Sequence, residues 1–322
     1  TAGAIACRLP ITRFRKKIRR LRTPPALSHM KSLHPDFSLA RHAGDSGHDA
    51  RWKSRAIGRV QHLSGLERAT TPDCFIVASG PSLGDLDLRR LQGQACFGVN
   101  GSVVKAAEAG IPFRYHVILD RSFVRDRLDL VKQAIHSGGQ CVFSFTVLNE
   151  IAEREPALLA ADNLFLFPQI NAIYGESKRT PEAFDAWASG QQGVFLHPAA
   201  QRQRGWVGFS KREDLGFFSG QTVVFSALQL AYWLGFRRIF ILGMDLGGPG
   251  GGFARFYEGR GPVAKTRLDR DFEPYIVPSF QLAGEISRRE GWEIYNVSPS
   301  SRLPADIIPK LEFEQALALC GA

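Results

Sequence analysis

A chain of 322 residues that is 44% hydrophobic and 22% charged has a globular composition, with length enough for one large domain or two. Its net charge of +10 is lopsided, because residues 1–70 carry 15 Lys and Arg against 4 Asp and Glu while the remainder is almost neutral. These values exclude a disordered or low-complexity chain, and no apolar run approaches the about 20 residues of a membrane span.

In chain order, the basic surplus opens with Arg13-Phe-Arg-Lys-Lys-Ile-Arg-Arg-Leu-Arg22, where Phe14, Ile18 and Leu21 recur at helical spacing. Such a segment either lies on an anionic membrane surface or forms a solvated tail. Nucleic acid needs the same charge, but no recognition fold or aromatic platform accompanies it here. Residues 23–70 read as an irregular linker with Pro24-Pro25 and scattered histidines. His29, His34, His42 and His48 match no zinc spacing and are read as linker residues. The domain reading therefore sets a basic arm and linker over 1–70 apart from the rest of the chain, 71–322.

From Asp73 onward, strands alternate with helices. Strands are expected at Cys74–Ala78, Ala95–Val99, Tyr115–Leu119, Gln140–Ser144, Leu164–Phe167, Ile239–Leu242 and Glu293–Val297. Helices are expected at Ser102–Glu108, Val124–His136, Val223–Leu234 and Ser279–Arg289. Continuous apolar strands separated by helices predict a Rossmann-like, mostly parallel α/β sheet. Two stretches interrupt the alternation, residues 171–216 and 246–275. The second begins in a glycine cluster at Gly247 and follows Asp245 directly, which predicts a lid over the site or, failing that, a surface insertion. The five cysteines form no CxxC pair and read as reduced thiols, which points to a cytoplasmic protein without a secretory leader.

Two strand ends carry the site. The run Cys74-Phe-Ile-Val-Ala breaks into Ser79-Gly80-Pro81-Ser82, a tight turn of small residues where backbone N–H groups can approach a phosphate or sugar. Later, Ser219-Gly220 precedes an apolar helix, and the following strand ends in Gly243-Met244-Asp245. Crevices beyond the carboxyl ends of such strands bind ligands in open α/β sheets.

With Asn100 in Phe97-Gly98-Val99-Asn100 and the closing Tyr295-Asn-Val-Ser-Pro-Ser-Ser301, these motifs resemble the bacterial sialyltransferase-like glycosyltransferases, meaning glycosyltransferase family 42 and related lipopolysaccharide-biosynthesis proteins. The resemblance spans roughly residues 73–303 and rests on short motifs in the right order. It implies a GT-A-like variant of that sheet, a nucleotide-sugar-binding α/β catalytic domain over 71–322, and a CMP-activated acidic sugar as donor, sialic-acid-like or Kdo, with a glycan or glycolipid acceptor, direct inverting displacement and no metal. It places Ser79, Gly80, Ser82 and Asn100 in the donor pocket, with Ser219, Gly220, Gly243 and Asp245 around the nucleotide. Tyr257 would meet the phosphate from the lid, with Arg255, Arg260 and Lys265 behind it. Asp120 stands where the family often has Asn, and it could bind acceptor, act as base or merely cap a helix. The family's catalytic His maps near Pro274, where this chain has Asp271, Glu273 and Tyr275 instead. A carboxylate base at Glu273 or Asp271 is therefore expected, with His116, Asp120 and then His197 in reserve.

The leading expectation is a cytoplasmic glycosyltransferase of surface-glycan assembly, such as lipopolysaccharide core, touching the inner membrane peripherally through its arm. The alternatives are a Mg-dependent diphosphokinase with similar strand edges, or a non-catalytic glycan-assembly protein.

Overall fold

The computed structural model describes residues 9–41, 47–198, 205–247, 255–256 and 267–320. Its strands are β1 (Phe37–Arg41), β2 (Gly47–Trp52), β3 (Arg55–His62), β4 (Asp73–Val77), β5 (Cys96–Val99) and β6 (Tyr115–Ile118). They continue with β7 (Gln140–Phe143), β8 (Leu164–Leu166), β9 (Val194–Leu196), β10 (Gly208–Ser210), β11 (Arg238–Leu242) and β12 (Glu293–Asn296). Ten of them form one sheet in the order β1-β2-β3-β8-β7-β6-β5-β4-β11-β12. Every pairing from β3 to β12 is parallel, and β1, β2 and β3 form an antiparallel meander at the far edge. The mostly parallel α/β sheet expected from the sequence is thus present, with all seven expected strands.

Alternation explains why those strands are apolar throughout. In β4, Cys74 and Ile76 pack on one face while Phe75 and Val77 pack on the other. β11 repeats the pattern with Ile239 and Ile241 against Phe240 and Leu242. Helices cover both faces, so a polar residue at any of these positions would be stranded without water. The helix Val223–Leu234 crosses β4, β5 and β6 and ends at Gly235, whose φ of 114° only glycine adopts without strain. The expected helix Val124–His136 is broken at Arg127 into Arg121–Asp126 and Leu128–His136. Cys74, Cys96 and Cys141 are buried free thiols.

Two expectations are corrected. Residues 37–62 are not irregular linker: they form β1, β2 and β3 and extend the sheet beyond β8. Lys53 and Ser54 make the tight β2–β3 turn, both with positive φ (50° and 65°). β3 lies so close to the turn at Leu159 that a Cβ on Gly58 would sit 1.6 Å from the Leu159 carbonyl oxygen. The other correction concerns residues 171–216, which contain a helix at Pro181–Ser189 and the antiparallel β9–β10 ribbon. His29, His34 and His48 hold structural places; His48 and His62 face each other at 3.2 Å, and burial pushes the His48 pKa down to about 4. His42 lies outside the described residues.

Candidate active site

Strand order reverses at β4, since β5 lies on one side and β11, far later in sequence, on the other. Ligands of open α/β sheets bind at such a switch point, in the crevice outside the carboxyl ends of the strands. The two turns there are the ones singled out by sequence: Ser79–Ser82 after β4 and Gly243–Asp245 after β11.

The turns are pinned together. Ala78 N–H donates to Leu242 O and Gly80 N–H to Gly243 O, both at 2.8 Å. Ser82 N–H donates to Asp245 Oδ2 at 2.9 Å. Gly80 has no room for a side chain, because a Cβ there would lie 2.2 Å from Asp245 Oδ2 and 2.5 Å from Gly243 O. Asp245 is buried, and its other carboxylate oxygen has no hydrogen-bond partner among the described residues. A buried acceptor left open in this way is costly unless something donates to it.

A third segment, unassigned by sequence reasoning, fastens the second turn. Ser298 Oγ accepts from Met244 N–H at 3.0 Å and from Ser82 Oγ at 3.2 Å, so one hydroxyl joins both turns. Ser301 Oγ donates to Met244 O at 2.6 Å, and Arg302 N–H donates to Asp245 O at 2.9 Å. Asn296 Oδ1 holds Ser298 N–H at 3.2 Å. The closing Asn-Val-Ser-Pro-Ser-Ser motif is therefore scaffolding for Asp245.

Asn100 directly follows β5 with φ of 50°, a left-handed conformation that Asn tolerates better than most residues. Its side-chain oxygen is buried without a partner among the described residues. Its carbonyl lies 2.8 Å from His116 Nε2, and because a carbonyl only accepts, Nε2 carries the proton. Burial pushes the His116 pKa down to about 4, so the ring is neutral at pH 7. His116 lies under the crevice and holds the Asn100 backbone, a positioning role, and its burial keeps it from any acceptor sugar.

This predicts a pH dependence of stability. The folded-state pKa lies below the unfolded value of 6.5, so the contribution is full above 6.5 and is lost as pH falls towards 4. On the order of 3 kcal/mol should disappear across that window. Denaturant melts at both ends should show the slope, and a His116→Asn chain should lack that part of it.

Ser219 and Gly220 lead into the helix Val223–Leu234, whose N-terminus carries no side-chain cap from Thr222. Gly220 and Gln221 both have positive φ (52° and 57°), and Ser219 Oγ accepts from Gln221 N–H at 3.4 Å. Because this helix precedes β11, it runs against the strands and brings its N-terminus to the carboxyl edge of the sheet. The first N–H groups of a helix without a side-chain cap, together with its dipole, suit an anion there.

Asp120 is exposed and caps the helix Arg121–Asp126, its Oδ1 accepting from Ser122 N–H at 2.8 Å. Asp271 is buried in a two-pronged pair with Arg270, both contacts 2.8 Å. Glu273 is exposed, 3.9 Å from Arg302, whose backbone touches Asp245. Arg302 thus spans from the crevice to the expected base, stacked 3.8 Å over Phe272. His197 ends β9 in the separate ribbon, and its N–H donates to Val207 O at 3.0 Å.

Of the expected lid, Phe256 N–H donates to Ser79 O at 3.3 Å, so residues 255–256 cross the first turn. Lys105 reaches the Phe256 ring at 5.6 Å and Gly84 O at 3.3 Å, a cation at this edge that sequence reasoning passed over. Tyr257, Arg260 and Lys265 lie outside the described residues.

The family model for WaaZ, 3-deoxy-D-manno-octulosonic acid (Kdo) transferase, matches residues 57–314. The chain belongs to this family. It is a glycosyltransferase of lipopolysaccharide biosynthesis, and the expectation drawn from its motifs holds on that side of the resemblance. The chain is 26% identical over 257 residues to a "Probable 3-deoxy-manno-octulosonic acid transferase" of Escherichia coli (strain K12), covering 79% of this chain and 87% of that protein. Among solved structures it is similar to a MAf glycosyltransferase from Magnetospirillum magneticum AMB-1, with TM-score 0.43, 16% identity, and coverage of 76% of this chain and 35% of that one. It is also similar to the sialyltransferase CST-II solved with a trisaccharide acceptor and CMP, with TM-score 0.37, 14% identity, and coverage of 73% and 84%. The family match begins inside β3, so that strand, left in the linker by sequence reasoning, enters the family's own region, while β1 and β2 precede the match.

Proposed function

We propose that the crevice between β4 and β11 binds a CMP-activated Kdo and transfers the sugar, with inversion, to a glycolipid acceptor of the lipopolysaccharide core. The observation that carries this reading is the pair of buried, open acceptors, Asp245 Oδ1 and Asn100 Oδ1, at the switch point. They suit donors of fixed direction, such as ribose hydroxyls and the cytosine amino group. The uncapped N-terminus of the Val223–Leu234 helix suits the phosphate or the sugar carboxylate. In the step itself, the acceptor hydroxyl oxygen bonds to the anomeric carbon as the carbon–oxygen bond to phosphate breaks. The proton passes to Glu273, and the bonding electrons leave with CMP. Charge growing on that leaving group is offset by the helix N-terminus and by the Lys105 cation at the edge of the first turn.

A thermal-shift panel of CMP, CDP, UDP, GDP and ATP, each with and without Mg²⁺, tests the donor class. CMP should stabilise the chain without the ion. Stabilisation by ATP with Mg²⁺ alone would favour the diphosphokinase reading and sink this one.

Asn100 gives a finer test. Asn100→Gly keeps the left-handed backbone open and removes only the side chain. CMP should bind about 10-fold more weakly, the value of one lost hydrogen bond, with an unchanged melt. Unchanged affinity in calorimetry removes Asn100 from the pocket.

A further inference from the structure

The helix Leu9–Arg22 sits on the body with its polar side inward. Arg15 grips both oxygens of Asp36, at 2.6 and 3.1 Å. Lys16 Nζ reaches Glu153 Oε2 at 2.5 Å, and Arg19 Nη1 donates to His34 O at 2.9 Å. The receiving side is built for this: buried Asn149 donates to Glu153 Oε1 at 2.8 Å and accepts from His34 N–H at 2.7 Å.

At about 100° per residue, positions 15, 16 and 19 project within one sector of roughly 100°. Phe14, Ile18 and Leu21 project within a sector of about 60° on the far side of the axis. The side chains agree with that geometry. Phe14 is 64% exposed and Leu21 78%, and no other large apolar side chain among the described residues is so exposed. Lys17 and Arg22, both exposed, flank this stripe on its two sides, with exposed Arg20 beside Lys17. An amphipathic helix packed for stability would bury Phe14 and Leu21 and leave the cations in water. This one leaves Phe14 and Leu21 in water, with Ile18 half-buried, while Lys16 and Arg19 turn to the body, which reserves the two exposed apolar side chains for something else.

We infer that this face docks on an anionic lipid bilayer, with Phe14 and Leu21 entering at headgroup level and Lys17, Arg20 and Arg22 against lipid phosphates. The inference stands apart from the donor assignment. Two anchors about 10 Å apart along one helix, between cations, match the interface of a bilayer. Nucleic acid would use the cations but gain little from Leu21, and a second copy would bring like charges face to face. Among the described residues no helix is long and apolar enough to cross a membrane. The ion pairs to Asp36 and Glu153 fix the angle at which the body meets the lipid.

Flotation with phosphatidylcholine vesicles, with and without phosphatidylglycerol, tests this. The parent chain should bind the anionic vesicles at least 10-fold better than the neutral ones. Phe14→Ser with Leu21→Ser should lose at least 10-fold of that binding, with melt and turnover of a water-soluble acceptor unchanged. Lys17→Gln with Arg20→Gln and Arg22→Gln should lose it as well, and added salt should mimic this loss. Parental vesicle binding by the Ser double variant overturns the inference. So does binding of an RNA oligonucleotide, or self-association abolished by the Ser double variant, in a chain that ignores anionic vesicles.

Discussion

A Gly80→Ala chain should fold and yet bind CMP roughly 100-fold more weakly, because one added methyl group separates the two turns of the crevice. The new Cβ would lie 2.2 Å from Asp245 Oδ2 and 2.5 Å from Gly243 O. On one side the obstacle is backbone, so it cannot swing aside as a flexible side chain would. Relief requires Asp245 to withdraw, which breaks its bond from Ser82 N–H and moves the open oxygen out of register. A stability cost of about 1–3 kcal/mol should accompany this, as for other overpacked sites. Asp245→Asn separates binding from folding. The amide oxygen can still accept from Ser82, but the other position becomes an N–H₂ that cannot receive a ribose hydroxyl proton. That variant should melt near the parent and lose CMP affinity in calorimetry. Parental CMP affinity in both variants would move the donor away from this crevice.

The strand edges that frame the crevice were legible because burial on both faces forces unbroken apolar runs, and Cys74–Val77 and Ile239–Leu242 are such runs ending in small residues. The meander at residues 37–62 was not. Its strands are half solvated, so Arg51, Lys53, Arg55 and Arg59 interrupt the pattern and read as linker charge. Its β2–β3 turn uses Lys53 and Ser54 at positive φ, where the usual Asn-Gly or Asp-Gly signal is absent. The closing motif was visible in the sequence but the role of Ser298 within it was not, because that role exists only through contacts with Met244 N–H and Ser82, 54 and 216 residues away in sequence. Asp120 was read with three roles open, and the cap to Ser122 N–H is a role its local sequence, Asp-Arg-Ser, already allows. His116 shares β6 with the residues leading to Asp120, but the parallel neighbour β5 turns its ring to Asn100 O.

Glu273→Gln should lower turnover by about 10²–10⁴-fold, the usual worth of a general base, while CMP affinity stays near the parental value. The carboxylate is exposed on the segment Phe272–Ile276 and is tied to the crevice only through Arg302, 3.9 Å away. The nucleotide groups proposed to meet Asp245 and Asn100 lie on the other side of that arginine, so donor binding and proton removal should be separable. Asp271 is the obvious competitor in sequence, two residues earlier. Both of its oxygens already accept from Arg270, and its burial leaves no path to an acceptor hydroxyl. Asp271→Asn should therefore cost stability by unpairing Arg270 and leave the pH profile of turnover unchanged. A carboxylate base works only when ionised, so parental activity should fall on acidification with a single limiting group. In Glu273→Gln the residual activity should lose that acidic limb. If Glu273→Gln turns over at the parental rate while Asp120→Asn is inactive with CMP still bound, the base sits at the end of β6. Asp120 would then serve the acceptor with the oxygen that its helix cap leaves over.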